Sequence, residues 1–289
     1  MKFDLELNKI HLADVVDFIN KISDQSVDMV FADPEYNIKA RGGRFSENVK
    51  PWAVYWAWCE NWVLAAQRII KPTGSIFIKC PARTSGNFQV ALDDCGFDYR
   101  NQIILYCPCH PTKRSFLTTH EVLLFYAKDM DKSYFHYQAE MKPRDPDKNW
   151  WYKENYRSDY GDRINDLWME IKWLPAGSLF AEETILEPGT RLKAHPNQMA
   201  EKIAERAIMF TTRPGDLVVD FFSGSGTVSA AAKKLGRNFL ACDIDPHYVE
   251  LGNQRISQQI IKFDQNDLLA MEKASTEPRS AEIQEGLIL

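Results

Sequence analysis

The residues best suited to chemistry stand in a four-residue motif, Asp33-Pro34-Glu35-Tyr36. The amino group of a nucleic-acid base is a poor nucleophile because its lone pair is delocalised into the ring. Two acceptors directed at its two hydrogens would favour a tetrahedral, more reactive nitrogen. The Asp33 carboxylate would supply one acceptor and the Pro34 carbonyl the other, and the Tyr36 ring would stack a flipped-out base at roughly 1–3 kcal/mol. The alternative is an ordinary turn at the end of a strand, which Asp-Pro often forms.

A second motif is rich in glycine and is typical of a backbone cradle for a cofactor. It reads Phe222-Ser223-Gly224-Ser225-Gly226-Thr227 and joins a predicted strand to a predicted helix. Because glycine lacks Cβ, Gly224 and Gly226 can adopt positive φ and let the backbone approach a ligand. Asp243 ends the next predicted strand, where an acid can accept both ribose hydroxyls of an adenosyl group. A dinucleotide would also suit this geometry, but the third glycine of G-x-G-x-x-G is absent. A tight turn without a ligand is the alternative.

Together the two motifs resemble those of the DNA amino-methyltransferases, in the permuted group whose catalytic motif precedes the cofactor motif. That family carries Asp-Pro-Pro-Tyr after its first strand and Phe-x-Gly-Ser-Gly-Thr near its C-terminus. The resemblance implies transfer of a methyl group from S-adenosylmethionine to an exocyclic amine of a base in double-stranded DNA. Asp at position 33 favours adenine N6, because the family's cytosine-N4 members more often carry Ser there. Cytosine N4 or an RNA base stays open as the alternative.

The resemblance extends to four further segments. His11-Leu12-Ala13-Asp14 is similar to an early family stretch and implies that Asp14 contacts the adenine of the cofactor. His195-Pro196-Asn197-Gln198 is similar to the family's His-Pro-Thr-Gln and implies that His195 lies on the cofactor side. His120-Glu121 is similar to the His-Glu pair that precedes a family strand, and residues 239–248 resemble the ribose-binding strand.

Two positions depart from the family pattern. Glu35 replaces the second proline of the catalytic motif, which removes a fixed φ and adds a charge beside the site. Met199-Ala200 replaces the usual Lys-Pro after Gln198. Our hypothesis is that Pro34 alone fixes the acceptor geometry while Glu35 faces solvent or a base such as Lys39 or Arg41. Glu35 also keeps open a catalytically weak subunit that retains the fold and binds nucleic acid.

The alternation of predicted strands and helices indicates an α/β fold in three layers, with a doubly wound, mostly parallel sheet covered on both faces. The family resemblance implies that this α/β fold is a Rossmann-like methyltransferase fold. A chain of 289 residues, 45% of them hydrophobic, is long enough for one large domain with an inserted region. Predicted strands span 27–32, 75–80, 102–106, 121–126, 217–222 and 239–243. Predicted helices span 52–70, 198–210, 228–235 and 246–261, and a turn at 71–74 ends the first helix.

We expect four parts along the chain: a catalytic half at 1–128, a target-recognition insertion at 129–190, a cofactor-binding half at 191–263 and an acidic tail at 264–289. The insertion lacks apolar periodicity and mixes aromatic residues with charges of both signs. Its aromatic residues would suit base stacking: Trp150, Trp151, Tyr152, Tyr156 and Tyr160. Residues 140–172 carry seven bases and eight acids, so they form no basic patch, and a satellite core or dimer surface is the alternative.

Composition limits the remaining classes. The net charge of −5 argues mildly against a nucleic-acid binder, but the tail at 264–289 accounts for −4 of it. No apolar run approaches the roughly 20 residues that span a bilayer, so we expect no membrane association and a cytoplasmic location. Cys107-Pro108-Cys109-His110 resembles half a metal site, but no second pair follows at zinc spacing, and we expect no metal. A partner restriction nuclease and a homodimer are open expectations from the resemblance.

Overall fold

The structure is a computed structural model that describes residues 5–38, 49–107, 116–137, 139–142, 162–171, 184–186, 194 and 198–258. Its strands are β1 Lys9–Leu12, β2 Val27–Ala32, β3 Ile70–Pro81, β4 Asp98–Tyr106, β5 His120–Ala127, β6 Met141–Lys142, β7 Asp162–Arg163, β8 Leu167–Trp168, β9 Leu217–Asp220 and β10 Asn238–Asp243. Its helices are α1 Val15–Ile19, α2 Trp52–Ile69, α3 Ser85–Asp94, α4 Glu201–Thr211, α5 Thr227–Lys234 and α6 Pro246–Gln258. A 3₁₀ turn spans Ala82–Thr84.

Eight strands form one sheet in the order β1-β10-β9-β2-β3-β5-β4-β8. Strand β5 runs antiparallel to both of its neighbours, and the other pairs are parallel. The mostly parallel sheet predicted from the sequence is therefore confirmed. Strands from residues 9–127 interleave with strands from residues 217–243, so the two halves of the chain build a single sheet. Strands β6 and β7 form a separate two-stranded sheet.

Helices cover both faces of the sheet, as a three-layer fold requires. Alternate residues of each strand point to opposite faces, and the buried residues divide accordingly. Val30 and Ile78 join the core beneath α1, α2 and α3, whereas Phe31 and Phe77 join the core beneath α4, α5 and α6. Every residue of β2 is buried, as expected for a central strand covered on both sides.

The junction between α2 and β3 differs from the sequence prediction. The turn expected at residues 71–74 is absent, because α2 ends at Ile69 and β3 begins at once with Ile70 paired to Val27. The register then resumes at Met29 and Ser75, so residues 71–74 form a wide irregularity within the strand. The prediction was wrong because a Lys-Pro-Thr-Gly run is typical of a turn. Here Ile70 and Ser75 on either side pair with β2, and the carbonyls of Thr73 and Gly74 accept from the amides of Tyr134 and Lys128. The short elements β1, α1 and α3 were also not predicted.

Part of the predicted insertion packs on the main sheet. Leu167 and Trp168 pair with β4, and the Trp168 ring is buried against the Arg206 guanidinium 4.8 Å from its centroid. Arg206 in turn binds the carboxylates of Glu140 and Glu170. The aromatic residues at 150–160 and the acidic tail at 264–289 lie outside the described residues. Among the helices that the structure describes, none is long and apolar enough to cross a membrane.

Candidate active site

Four aspartate residues lie at one edge of the sheet. Asp33 directly follows β2, Asp220 and Asp243 are the last residues of β9 and β10, and Asp14 follows β1 by two residues. These four strands are adjacent and parallel, so their carboxyl ends lie at the same edge. Ligands of open parallel sheets bind at this edge. The fold thus brings together residues from motifs far apart in the sequence.

The catalytic motif forms a cluster of hydrogen bonds at the end of β2. The Tyr36 hydroxyl lies 3.1 Å from Asp33 Oδ1 and 3.2 Å from Glu121 Oε1. The Lys79 ammonium lies 3.4 Å from Asp33 Oδ2 and 2.8 Å from Glu121 Oε2, and it also donates to the Tyr36 hydroxyl. The structure therefore brings Asp33 and Tyr36 together and adds two residues from β3 and β5.

Sequence reasoning did not identify Lys79 as part of this cluster and assigned no role to Glu121. A signal for Lys79 was present, because a single cation interrupts the apolar run of residues 75–80. A lysine in a central strand is rarely buried unless a carboxylate pairs with it.

Burial and charge compete over the ionisation of these groups. Burial raises the pKa of Asp33, and Glu121 raises it further, while the Lys79 ammonium and the Tyr36 hydroxyl oppose the rise. Burial acts to lower the pKa of Lys79, but the negative groups around it outweigh burial and raise that pKa well above its usual value. Burial keeps Tyr36 a phenol by raising its pKa well above the ordinary value. Lys79 therefore carries its charge at neutral pH.

The loop after Asp33 is anchored to the start of α2. Pro34 is buried, and the Tyr55 hydroxyl donates to the Glu35 carbonyl at 2.6 Å. Asn37 has φ 52° and exchanges hydrogen bonds of 2.8 and 3.0 Å with the backbone of Lys50. The Glu35 side chain is exposed, as our hypothesis of a solvent-facing Glu35 expects. Lys39 and Arg41 lie outside the described residues.

Asp243 is held by the backbone of the loops beside it. The Gly224 amide donates to Oδ2 at 2.7 Å, and the Asp245 amide donates to Oδ1 at 2.9 Å. Burial raises the pKa of Asp243, and these amide donors oppose the rise. A carboxylate has about four acceptor positions, so two amide bonds leave capacity for ligand hydroxyls. Asp245, two residues further along the chain, caps α6 by accepting from the His247 amide at 2.9 Å.

Gly226 is required for packing between helices. Its φ is 76°, and a Cβ there would lie 3.1 Å from the Gly252 Cα and 3.2 Å from the Ile10 Cδ1. A Cβ on the second glycine, Gly252, would lie 2.4 Å from the same Ile10 atom, so the end of the Ile10 side chain would have to shift. Gly252 was not noticed in the sequence, since a single glycine within a helix gives no distinctive pattern. The Gly-rich loop is therefore held against α6 and β1 as well as aimed at the sheet edge.

Other residues of the second motif also make contacts within the protein. Ser225 and Thr227 are buried, and the Arg255 guanidinium donates to the Ser225 carbonyl at 3.2 Å and the Thr227 hydroxyl at 3.1 Å. The Phe222 ring packs edge to face on the rings of Trp58 and Trp62. These contacts hold the loop in one conformation from both sides.

The remaining predicted cofactor residues differ in position. Asp14 is exposed and caps α1 through its Oδ1, which accepts from the Val16 amide at 2.9 Å. The next residue toward β1, Ala13, donates its amide to the Asp243 carbonyl at 3.1 Å, so Asp14 borders the same loop cluster. His195 lies outside the described residues. Asp220, unassigned from sequence, is 2% exposed, and burial raises its pKa to about 8.

Comparison with known proteins agrees with this arrangement. Two curated relatives are the Type II methyltransferases M.BglII of Bacillus subtilis and M.HinfI of Haemophilus influenzae. The first is 29% identical over 262 residues, which cover 87% of this chain and 69% of the relative. The second is 26% identical over 280 residues, which cover 91% and 71%.

Solved structures share the fold. The PvuII DNA methyltransferase, described as cytosine-N4-specific, has a TM-score of 0.62 at 17% identity, with 94% of each chain covered. TTHA0409 from Thermus thermophilus, complexed with S-adenosyl-L-methionine, has a TM-score of 0.57 at 19% identity, with 88% of this chain and 95% of that chain covered. At these identities the likeness concerns the fold alone. Residues 27–254, most of the chain, match the DNA methylase model of N6/N4 methyltransferases. The chain therefore belongs to the DNA methylase family of N6/N4 methyltransferases.

Proposed function

We propose that this DNA methylase transfers a methyl group from S-adenosylmethionine to the N6 amine of adenine in double-stranded DNA. The observation that carries the proposal is the position of Asp33, beside Tyr36 and at the same sheet edge as Asp243. Asp33 would accept an amine hydrogen, and Asp243 would accept from ribose hydroxyls. The strands that carry them are separated only by β9. Asp33 supports adenine over cytosine through the family preference for Asp at this position.

The chemistry of the site fits the proposed cofactor. S-adenosylmethionine carries a sulfonium and an ammonium, both cations, and supplies an electrophilic methyl group when bound. The edge that would receive it is lined by the carboxyl groups of Asp14, Asp33 and Asp243, which favour a cationic ligand. The pyrophosphate of a dinucleotide would be repelled by the same groups. Asp243 would accept from the ribose, Asp14 would face the adenine, and Phe222 and the Gly224–Thr227 loop would line the cleft.

The residues of the catalytic loop act on the target amine. The Asp33 carboxylate and the Pro34 carbonyl accept its two hydrogens, which favours a tetrahedral nitrogen. This preference accelerates transfer to the extent that both hydrogen bonds strengthen in the transition state. The nitrogen gains a methyl group and loses a proton, and we assign the acceptance of that proton to the Asp33 carboxylate. Tyr36 supplies the stacking face for the flipped-out base.

The test is methyl transfer from isotopically labelled S-adenosylmethionine to mixed genomic DNA, with the nucleosides separated by mass spectrometry. We expect label in N6-methyladenine, and Asp33→Ala should abolish it while cofactor binding is retained. Asp17→Ala, a change on the exposed side of α1, is the matched control and should leave the rate unchanged. Label in N4-methylcytosine would overturn the assignment of the base, and no label with intact cofactor binding would favour a non-catalytic subunit.

We further propose that residues 129–190 read the DNA sequence. Phosphate contacts release counterions, so affinity for duplex DNA should fall steeply with salt. A salt-independent affinity would contradict phosphate contacts. A homodimer and a partner nuclease are separate proposals, which sedimentation analysis and co-purification would test.

A further inference from the structure

Lys79 is a charged residue in a position where the fold does not need one. It lies near the carboxyl end of β3 with 6% of its surface exposed, between Ile78 and Cys80, which are fully buried. Removing an ammonium from water costs several kcal/mol unless carboxylates and hydrogen bonds compensate it. An apolar side chain would continue the strand at lower cost, so the charge indicates a role outside the core.

The ammonium is directed at the catalytic motif. It lies 3.5 Å from Asp33 Oδ1 and 3.4 Å from Oδ2, so it faces both oxygens. Its shortest ion pair is with Glu121 across the β3–β5 pairing, at 2.8 Å. It also donates to the Tyr36 hydroxyl, which itself bridges Asp33 and Glu121. One cation is thus shared by the proposed acceptor and the proposed stacking residue.

The ionised and protonated forms of Asp33 would form different hydrogen bonds with the target amine. As a carboxylate it only accepts hydrogen bonds, whereas its protonated form would present a hydroxyl to an amine that must itself donate. Burial favours the protonated form, and a nearby cation favours the carboxylate. Within the part of the chain that the structure describes, the titratable groups that face Asp33 come from its own loop, β3, β5 and β9: Tyr36, Lys79, Cys80, Glu121 and Asp220. Lys79 is the cation among these groups.

We propose that Lys79 is a positioning residue of the methyl-transfer site, which keeps Asp33 a pure acceptor and fixes the Tyr36 hydroxyl, while Glu121 holds Lys79 in place. This inference rests on the proposed function of Asp33. Lys79 and Glu121 have opposite effects on the ionisation of Asp33, because the Lys79 charge stabilises the carboxylate and the Glu121 charge destabilises it. Substitutions of Lys79 and Glu121 should therefore change the pH dependence of Asp33 in opposite directions, which a general loss of stability would not do.

The test is the pH profile of single-turnover methylation for the full chain. Activity that needs ionised Asp33 rises with pH through the Asp33 pKa, so the acidic limb reports on that pKa. Lys79→Met should move the limb to higher pH by one unit or more, which lowers the rate at least tenfold on the acidic side and restores it at alkaline pH. In Glu121→Gln the amide oxygen can still accept from the Lys79 ammonium while the negative charge is lost, so the limb should move to lower pH. Lys79→Arg should keep the limb near the wild-type position.

Lys71→Met is the matched control. Lys71 forms an ion pair of similar kind with Asp28, at 2.7 Å and in the same β2–β3 pair, but at the opposite end of the strands. Its loss should leave the limb unchanged. A second readout does not require turnover: the ¹³C shift of the Asp33 carboxyl, assigned by comparison with Asp33→Asn, should titrate at higher pH in Lys79→Met and lower pH in Glu121→Gln.

The outcomes separate this inference from the proposed function. No methyl transfer by the wild type, or a wild-type rate for Asp33→Ala, would overturn the proposed function. An active enzyme whose acidic limb and Asp33 titration stay unchanged in Lys79→Met would overturn the role of Lys79. If Lys79→Met does not fold, an unchanged or upward-shifted titration in Glu121→Gln would overturn it equally.

Discussion

Replacing Asp220 by asparagine should stabilise the protein, and more so at higher pH. Asp220 ends β9 with 2% of its surface exposed, and burial raises its pKa from an ordinary value of 3.8 to about 8. Between these two values the folded protein keeps a proton that the unfolded chain releases. The stability that Asp220 contributes is therefore complete below about pH 4 and is lost as pH rises toward 8. Asparagine has nearly the same shape, still accepts from the Phe222 amide and has no ionisable proton to lose.

The size of this stability difference follows from the rise in the Asp220 pKa. Each pH unit within this window changes the free energy of unfolding by about 1.4 kcal/mol for one proton. From about pH 5 to about pH 8, the wild type should lose about 4 kcal/mol relative to Asp220→Asn. Taking the difference between the two proteins removes the contribution of the other titrating groups, where those act independently. The assay is urea unfolding followed by tryptophan fluorescence at unit steps of pH.

Asp28→Asn provides the control. Asp28 is also buried, at 6% exposure, but it is paired with Lys71 and accepts from the Leu217 amide at 2.9 Å. Its replacement should destabilise the protein by about 2 kcal/mol for a lost charged hydrogen bond. The reasoning about Asp220 would be refuted by a difference from wild type that stays constant across the same pH range.

Three further outcomes follow from contacts of the site. Gly252→Ala should destabilise the protein by about 1 kcal/mol at most, because the Cβ, 2.4 Å from the Ile10 Cδ1, displaces only the end of a side chain and alanine favours the helix; thermal melting should show recovery with Ile10→Val, and no recovery would contradict this contact as the cause. Tyr55→Phe removes the donor to the Glu35 carbonyl and should cost about 1 kcal/mol in urea unfolding; an unchanged midpoint would show that the loop does not depend on it. Asp243→Ala should weaken S-adenosylmethionine binding at least tenfold in calorimetry, and equal affinity would remove Asp243 from the cofactor site.

Local pattern was sufficient for most of the fold. The six residues of β2 and the strand-loop-helix unit around Gly224 were both predicted, because hydrophobic runs and glycines act through near neighbours. The turn at residues 71–74 was predicted wrongly for the same reason. Its residues favour a turn locally, but the flanking residues Ile70 and Ser75 pair with β2, more than forty residues away in the sequence, and keep the segment in the strand.

The sequence by itself determined the residue types of the two motifs, their order and the alternation of strands and helices that places both at strand ends. Only the tertiary structure decided what surrounds them. Parallel pairing set Asp33 beside Asp220 and Asp243, and antiparallel pairing of β5 with β3 set Glu121 against Lys79. The physical reason is that burial and charge partners fix whether a carboxyl group is ionised, and both depend on chain segments distant in sequence.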